Sequence, residues 1–548
     1  MVKVKIGDKD ISLDDNTSYY EISKKYGIRD NKRAYLVKVN GVIKELRRFA
    51  KDGENIEFLY YDNEVVRDAY TRTATFILLK AINDVLGSNF NAGLKFRIYN
   101  TYYFEIENKI VSDDEVIKIK ERFDEIVKEA IVIKKQDYTK KEAFKIFEEE
   151  KMEDMKLLFT YNYRPKINIR YIDSYARYIN GELFYDTSYI QYYRIYKYRD
   201  GINLVTSVTH NDEDVAVTEL GEKNFNVLNE SVNWAKTLDI HTVGKLNRQI
   251  ANNNFNHLVI MMESYQDKQI GDIAEAVKNS KKKLVFIAGP SSSGKTTFSH
   301  RLMYHLMALE IMPHPISTDN FFRNREDTPK DENGEHDYEA LGAMDIDLLN
   351  DSLKRLLNGE EVDMPVFNFA TGKREYKGKK LKINENEVII MEGIHCLNPD
   401  LVPNIDQNDI FKIFISALTE VRIDNANRIA TSDLRLIRRI VRDSRTRGTS
   451  AKETIKRWPS VRRGEGRSIF PYQENADIYF NSALIYEFSV LKNKALACLY
   501  ELSEDDEVGI VARRLIKVLN YFLGADTDAI PRHSIIREFI GLSILEVG

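Results

Sequence analysis

Apolar runs of strand length alternate with stretches of helical spacing in the second half of this chain. LVFIA (284–288) is a continuous apolar run ending in the glycine-rich GPSSSGK, and it reads as a strand buried on both faces. A helix of about four turns is expected next. HPIST (314–318) then reads as a second strand, Val388 to Met391 in EVIIMEGIHCL as another, and ADIYFNS (476–482) as the last. Strands separated by helices predict an open, mostly parallel sheet. The first half reads differently. VKVKIGDKDISLDD, AYLVKVNGVIKEL and ENIEFL alternate apolar and polar positions about Gly7, Asn40–Gly41 and Gly53, and predict a small sheet with one helix near Tyr19 to Tyr26. Capping boxes at SDDE (Ser112, Glu115) and TKKE (Thr139, Glu142) mark further helix starts. An amphipathic stretch from Val243 to Val277 predicts connecting helices, so the halves meet near NSKKK (279–283). Two apolar helical patterns and the tail IPRHSIIREFIG follow the last strand as a helical cap.

Composition adds a class. A chain of 548 residues with 43% hydrophobic and 30% charged positions is too long for one core and too apolar for disorder, so two to four domains are expected. The net charge of −4 gives the whole molecule no pull toward nucleic acid or membrane. The only cysteines are Cys396 and Cys498, and no apolar run approaches 18 residues, which predicts a cytoplasmic protein without a membrane partner.

The candidate chemistry begins at VFIAGPSSSGKTTFSH. Gly289, Gly294, Lys295 and Thr296 satisfy G-x-x-x-x-G-K-[ST] directly after a strand, the pattern of a phosphate-holding loop (the P-loop). Gly289, Pro290, Ser291, Ser292, Ser293, Gly294 and Thr297 would surround a nucleotide's phosphates, all but Pro290 with a backbone N–H to offer; Lys295 would reach the β and γ oxygens, and the Thr296 hydroxyl would hold Mg²⁺. Asp319 follows the second strand, at the carboxyl end where open α/β sheets bind ligands, and would accept a hydroxyl proton. Phe321 and Phe322 would wall the acceptor pocket. Glu392, at another strand end, is a second metal candidate.

Leu434 to Arg467 carries twelve Lys/Arg against three Asp/Glu. Arg438, Arg439 and Arg442 share one helix face, with Arg445 and Arg447 leading to a turn at Gly448. A lid closing over a triphosphate is one reading of this segment, an RNA surface another.

These motifs, in order with HDYEALGAMDID, MPVFNFATGKREY, RRIVRDSRTRG and PYQENADIYFNS, resemble the uridine kinase and phosphoribulokinase superfamily. The resemblance implies a nucleoside kinase that moves the γ-phosphoryl of ATP or GTP to a nucleoside 5′-hydroxyl with Mg²⁺. It makes Asp319 the general base beside Lys295, and Arg442, Arg445 and Arg447 lid residues over the phosphates. Acceptor contacts would come from Asp337, Phe367 and Arg374 with Phe321 and Phe322. Two departures touch the acceptor: Asn368 and Gly372 stand where uridine kinases show an Asp and a base-reading His, and the interval from Asp337 to Asp345 is two residues longer. A phosphoribulokinase-like enzyme acting on another hydroxyl, and an RNA-binding regulator using the loop as a switch, remain alternatives.

The first half is similar to the TGS domain of threonyl-tRNA synthetase and then to that enzyme's metal-dependent editing domain, with Arg72 and Phe76 where DAYTRTATFILLKAI would carry its two histidines. Residues 1–209 contain no histidine and residues 1–395 no cysteine, so a His/Cys zinc site is not expected there. Eleven tyrosines between Tyr161 and Tyr198 are interleaved with cations such as Arg164, Arg170 and Arg194; they read either as one face of an antiparallel sheet or as a surface for RNA or a small ligand. The expected organisation is 1–62 TGS-like β-grasp, 63–240 editing-like α+β domain, 241–280 connecting helices, 281–500 P-loop kinase with a parallel sheet flanked by helices, and 501–548 helical cap. Homo-oligomerisation is left open.

Overall fold

A computed structural model describes residues 1–216, 221–330, 334, 336–368, 371–502, 504 and 507–546. Phe369 and Ala370 of the MPVFNFATGKREY segment lie outside these residues.

The second half is built on a five-stranded sheet in which every pairing is parallel. Leu284–Ala288 is central, flanked by Glu387–Glu392 and Ile410–Ser416, with Met312–Ser317 and Ile478–Asn481 at the edges. Both central neighbours are buried along most of their length, which is why the run reads as continuously apolar. The first crossover helix is Lys295–Ala308, close to the four turns expected. The second strand starts two residues earlier than HPIST, at Met312. Two helices, Thr431–Thr446 and Ala451–Ser468, carry the basic segment, and Glu487–Leu499 and Gly509–Leu519 form the cap.

In the first half, a five-stranded sheet runs in the order Lys9–Leu13, Val2–Ile6, Glu54–Leu59, Leu36–Val39, Val42–Lys44, with the helix Tyr19–Tyr26 beside it. Helix Glu64–Leu86 is buried through most of its middle, Thr73 to Ile82, and Phe76 lies fully inside. A four-stranded antiparallel sheet (Ala92–Ile98, Thr101–Ile106, Gly201–Thr206, Tyr193–Tyr198) and a three-stranded one (Lys134–Tyr138, Ile167–Ile172, Tyr175–Arg177) complete this half. Both expected capping boxes form, at Ser112 with Glu115 and at Thr139 with Glu142. The connecting stretch is the helices Val243–Ala251 and Phe255–Ser280, the latter closed by Lys281 at φ 58°.

The chain boundary near residue 280 is not a boundary in the core. Phe147, Leu158 and Tyr178 of the first half pack in one apolar cluster with Val259 and Met262 of the connecting helix, Val285 and Ile413 of the parallel sheet, and Leu515 and Tyr521 of the cap. Tyr175, Tyr178 and Tyr189 are buried, whereas Tyr163 is 95% exposed. Among the described residues no helix is long and apolar enough to cross a membrane.

Candidate active site

The phosphate loop turns between strand Leu284–Ala288 and helix Lys295–Ala308. Gly289 is required by packing, because a Cβ there would lie 2.0 Å from the Ile415 carbonyl oxygen, and Gly294 by its φ of +84°. The Lys295 ammonium donates to the carbonyls of Gly289 (2.9 Å) and Pro290 (3.3 Å). The Thr296 hydroxyl donates to Glu392 Oε1 at 3.1 Å.

Strand register brings the carboxylates to the loop. Glu392 pairs with Ile287 on one side and Ser317 on the other, so it ends its strand between the loop strand and the strand leading to Asp319. Asp319 sits in a single 3₁₀ turn, Thr318–Phe321, capped by the Ser317 hydroxyl. Its side chain is exposed to solvent, although protein crowds around the carboxyl. That crowding raises its carboxyl above the usual 3.8, against the pull of Lys295 and Arg447. Burial likewise raises Glu392, with Asp319 and Glu538 adding to the effect and Lys295 opposing it. Glu339, not singled out by its motif, is raised by burial and by Glu465, with Arg439 and Lys295 opposing. Three carboxyl groups from three segments thus share Lys295 as a cationic neighbour.

Thr296 and Glu392 offer adjacent hard oxygen donors beside the loop, a set that fits Mg²⁺. They would hold it where phosphate oxygens arrive.

The basic segment is organised differently from its sequence pattern. Arg438 is fully buried behind the loop: Nε donates to Glu487 Oε2 (2.7 Å), Nη1 to the Ser292 carbonyl (3.2 Å) and Nη2 to the Ser482 carbonyl (2.9 Å). Arg435, one turn earlier, pairs with Glu465 and donates to the Ser291 carbonyl (3.1 Å), while Glu465 accepts the Ser291 N–H (3.1 Å). Ser482 donates to the Ser293 carbonyl. Of the three arginines expected on one helix face, Arg438 is turned onto the loop's backbone. Only Arg439 reaches a loop side chain, donating to Ser291 Oγ at 3.0 Å. Arg442 bonds Asp443 (2.9 Å), which also draws Arg439 and Arg447. Arg445 leaves this set and donates to the carbonyls of Glu538 (2.9 Å) and Phe539 (3.3 Å), because the C-terminal tail arrives on its side.

That tail was not legible as part of the site. Glu538, 7% exposed, accepts from Thr297 Oγ1 at 2.8 Å, Ile535 packs against Gly294, and Phe539 lies under Arg438. The tail fastens the first turn of the loop helix to the end of the basic helix.

The acceptor candidates divide. Phe321 is fully buried in the core and supports the pocket from behind, whereas Phe322 and Phe367 meet edge to face at 5.6 Å, with Tyr338 beyond. Asp337 is bonded by Arg467 (2.8 Å), and Arg374 by Asp345 (2.7 Å). His395, also missed, is 2% exposed with both ring nitrogens unbonded among the described residues; burial lowers it to about 4, with Arg467 adding to the effect and Asp337 opposing. Its only sequence signal was its place three residues after Glu392.

Part of the chain is similar to known proteins. Residues 284–485 match the model of the Phosphoribulokinase / Uridine kinase family. A uridine kinase of Staphylococcus aureus (strain JH9) is 31% identical over 196 residues, covering 36% of this chain and 85% of that protein, and that of strain MW2 matches equally. A solved structure described as a "Possible Uridine Kinase" from Bacillus stearothermophilus is 16% identical and covers 39% of this chain and 98% of that one, at a TM-score of 0.27. Through residues 284–485, this chain belongs to the phosphoribulokinase / uridine kinase family.

Proposed function

We propose that the chain transfers the terminal phosphoryl group of ATP or GTP to the 5′-hydroxyl of a nucleoside. The observation that carries this is the placement of Asp319: a carboxyl in the turn after a strand whose end pairs with Glu392, beside the phosphate loop and its lysine. An acceptor hydroxyl there donates its proton to Asp319 as its oxygen bonds to the γ-phosphorus, and the bond to the β-phosphate oxygen breaks. Lys295 offsets charge on the departing phosphate, while Arg435 and Arg438 hold the carbonyls of Ser291 and Ser292 and so fix the loop's backbone. Thr296 and Glu392 would hold Mg²⁺, which would supply charge neutralisation to the triphosphate. Phe322 and Phe367 flank the acceptor, and Asp337 with Arg467 offers hydrogen bonds to its hydroxyls.

One observation favours a second acceptor class. Gly372 adopts φ +68°, and a Cβ there would fall 2.8 Å from Arg325 Nε, so no side chain can read a base from that position. A phosphoribulokinase-like acceptor, a small sugar carrying a hydroxyl, fits this turn equally. Coupled turnover with ATP and GTP over a panel of nucleosides and sugar phosphates decides between them. Turnover with no acceptor of either class refutes the proposal.

For the first half we propose a TGS-like module (1–62) and an editing-like module (63–240) that bind rather than react. Arg72 donates to the Glu182 carbonyl at 3.2 Å and Phe76 is in the core, which supports a structural use of those positions.

A further inference from the structure

Residues 417–430, between strand Ile410–Ser416 and helix Thr431–Thr446, contain no helix and no strand, yet all but Ala430 are buried or half-buried. Irregular segments normally run over the surface, because inside a protein their backbone N–H and C=O groups lack the partners that helices and sheets supply. Here the first half and the connecting stretch supply them. Arg422 N donates to the His241 carbonyl (3.0 Å), and the Arg422 carbonyl accepts from Val243 N (2.8 Å). Asn425 N donates to Asp154 Oδ2 (2.8 Å), and the Asn425 carbonyl accepts from Leu94 N (2.9 Å).

Side chains complete the clamp. Asn427 Oδ1 accepts from Asn180 N (2.6 Å), while Asn427 Nδ2 donates to the Tyr178 carbonyl (2.9 Å) and to Asp424 Oδ2 (2.6 Å). Asp424 Oδ1 accepts from the N–H groups of Ala426 (2.7 Å) and Asn427 (2.8 Å), and Arg422 Nη1 donates to the Leu94 carbonyl (3.0 Å). Burial lowers the Arg422 guanidinium, opposed by Glu105 and Asp154; burial and Asp154 raise the Asp424 carboxyl, opposed by its bonds from Asn427 and Ala426. Charges held inside in this way add little net stability, but a fully bonded network of them fixes one arrangement of the backbone around it.

What this segment fixes is the start of the helix that grips the phosphate loop. Arg435, eight positions after Asn427, bonds the Ser291 carbonyl, and Arg438 bonds that of Ser292. The tail holds the same helix near its other end through Arg445, so the first half and the tail set its two ends. We propose that the first half takes part in triphosphate binding as a positioning element: through residues 417–430, with Asn427 and Arg422 as the positioning residues, it sets helix Thr431–Thr446 and hence the phosphate loop's backbone without touching substrate. This rests on the reading of the loop as a triphosphate site and not on the identity of the acceptor.

The test is calorimetric titration of the full chain with ATP and with GTP, with Tm measured on the same samples. Asn427→Ala is expected to weaken triphosphate binding about three- to thirty-fold, the range over which residues along a coupling network act. Asn162→Ala is the matched control, because Asn162 also joins the first half to the second (Nδ2 to the Asn520 carbonyl, 2.7 Å) but not through this segment. It should lower Tm to a similar extent and leave affinity within about two-fold, as expected of an independent site. Arg422→Met removes a buried charge and keeps most of the shape, so Tm should hold or rise while affinity still falls about three-fold or more. That variant reports on positioning even if Asn427→Ala folds poorly. Affinity equal to the parent's in both Asn427→Ala and Arg422→Met, or an equal loss in Asn162→Ala, would overturn the inference and leave the loop's role intact. A parent chain that binds neither triphosphate would refute that role and the inference with it.

Discussion

Two buried arginine–glutamate clusters, one in each half, use the same chemistry for different ends. In the first half Glu45 accepts from Arg170 (2.9 Å) and pairs with Arg47 (3.0 Å). Burial alone would raise the Glu45 carboxyl, but the two arginines hold it at about 2. One further donor of each arginine goes to the carbonyl of Gly181 or of Phe184, and Glu45 accepts the Leu183 N–H, so the cluster ties the five-stranded sheet to the middle region. In the second half Arg435 with Glu465 and Arg438 with Glu487 spend their remaining donors on Ser291, Ser292 and Ser482, the backbone in and behind the phosphate loop. The ion pair does not distinguish architecture from site; the backbone that the leftover N–H groups hold does.

The comparison can be broken first at its largest effect. Glu487→Gln and Glu45→Gln each leave a buried guanidinium short of its partner and should cost about 3–5 kcal/mol of stability, read as loss of Tm or of denaturant midpoint. At permissive temperature they should part: Glu487→Gln raises KM for the triphosphate, whereas Glu45→Gln leaves it within about two-fold. Equal effects on KM would erase the distinction. Next comes Arg442→Ala, expected to lower kcat about ten-fold or more with little change in triphosphate affinity, if Arg442 acts on charge that develops in transfer. Glu538→Ala should follow with a smaller rise in KM, about two- to five-fold, because it loosens the tail from Thr297 without touching substrate.

The smallest effect is one of pH. Glu420 is 5% exposed and bonded by Asn481 (2.7 Å), and burial, reinforced by Glu487, raises its carboxyl to about 8. The unfolded chain releases this proton near 4.5, so the contribution to stability is complete below 4.5 and lost as pH rises toward 8. Tm should fall by a few degrees across that window, and Glu420→Gln should flatten the fall.

Much of the second half was legible because its signals are local. A strand, a glycine-rich loop and a helix follow in order, and Asp319 and Glu392 are marked by standing at strand ends. What the arginines do was not legible: period 3.6 puts Arg438, Arg439 and Arg442 on one face, but nothing local says that Arg438 bonds the loop's backbone while Arg442 bonds Asp443. Glu538 lies more than two hundred residues from Thr297 and is joined to it by folding alone. In the first half, nothing local separates the buried Tyr175 and Tyr189 from Tyr161 and Tyr163, which belong to a junction whose other wall includes Lys492, Lys517 and Phe522.

The most direct test of the central claim is phosphorylated acceptor formed by the parent chain and by Asp319→Asn, measured with triphosphate binding and Tm on the same samples. Because the Asp319 carboxyl is raised in the fold, its contribution to stability is present below 3.8 and lost as pH rises through its folded value, so removing the charge should leave Tm at pH 7 unchanged or higher. The account predicts that Asp319→Asn keeps triphosphate affinity and stability while product formation falls about 10²-fold or more. Turnover near the parental rate in that variant would contradict it.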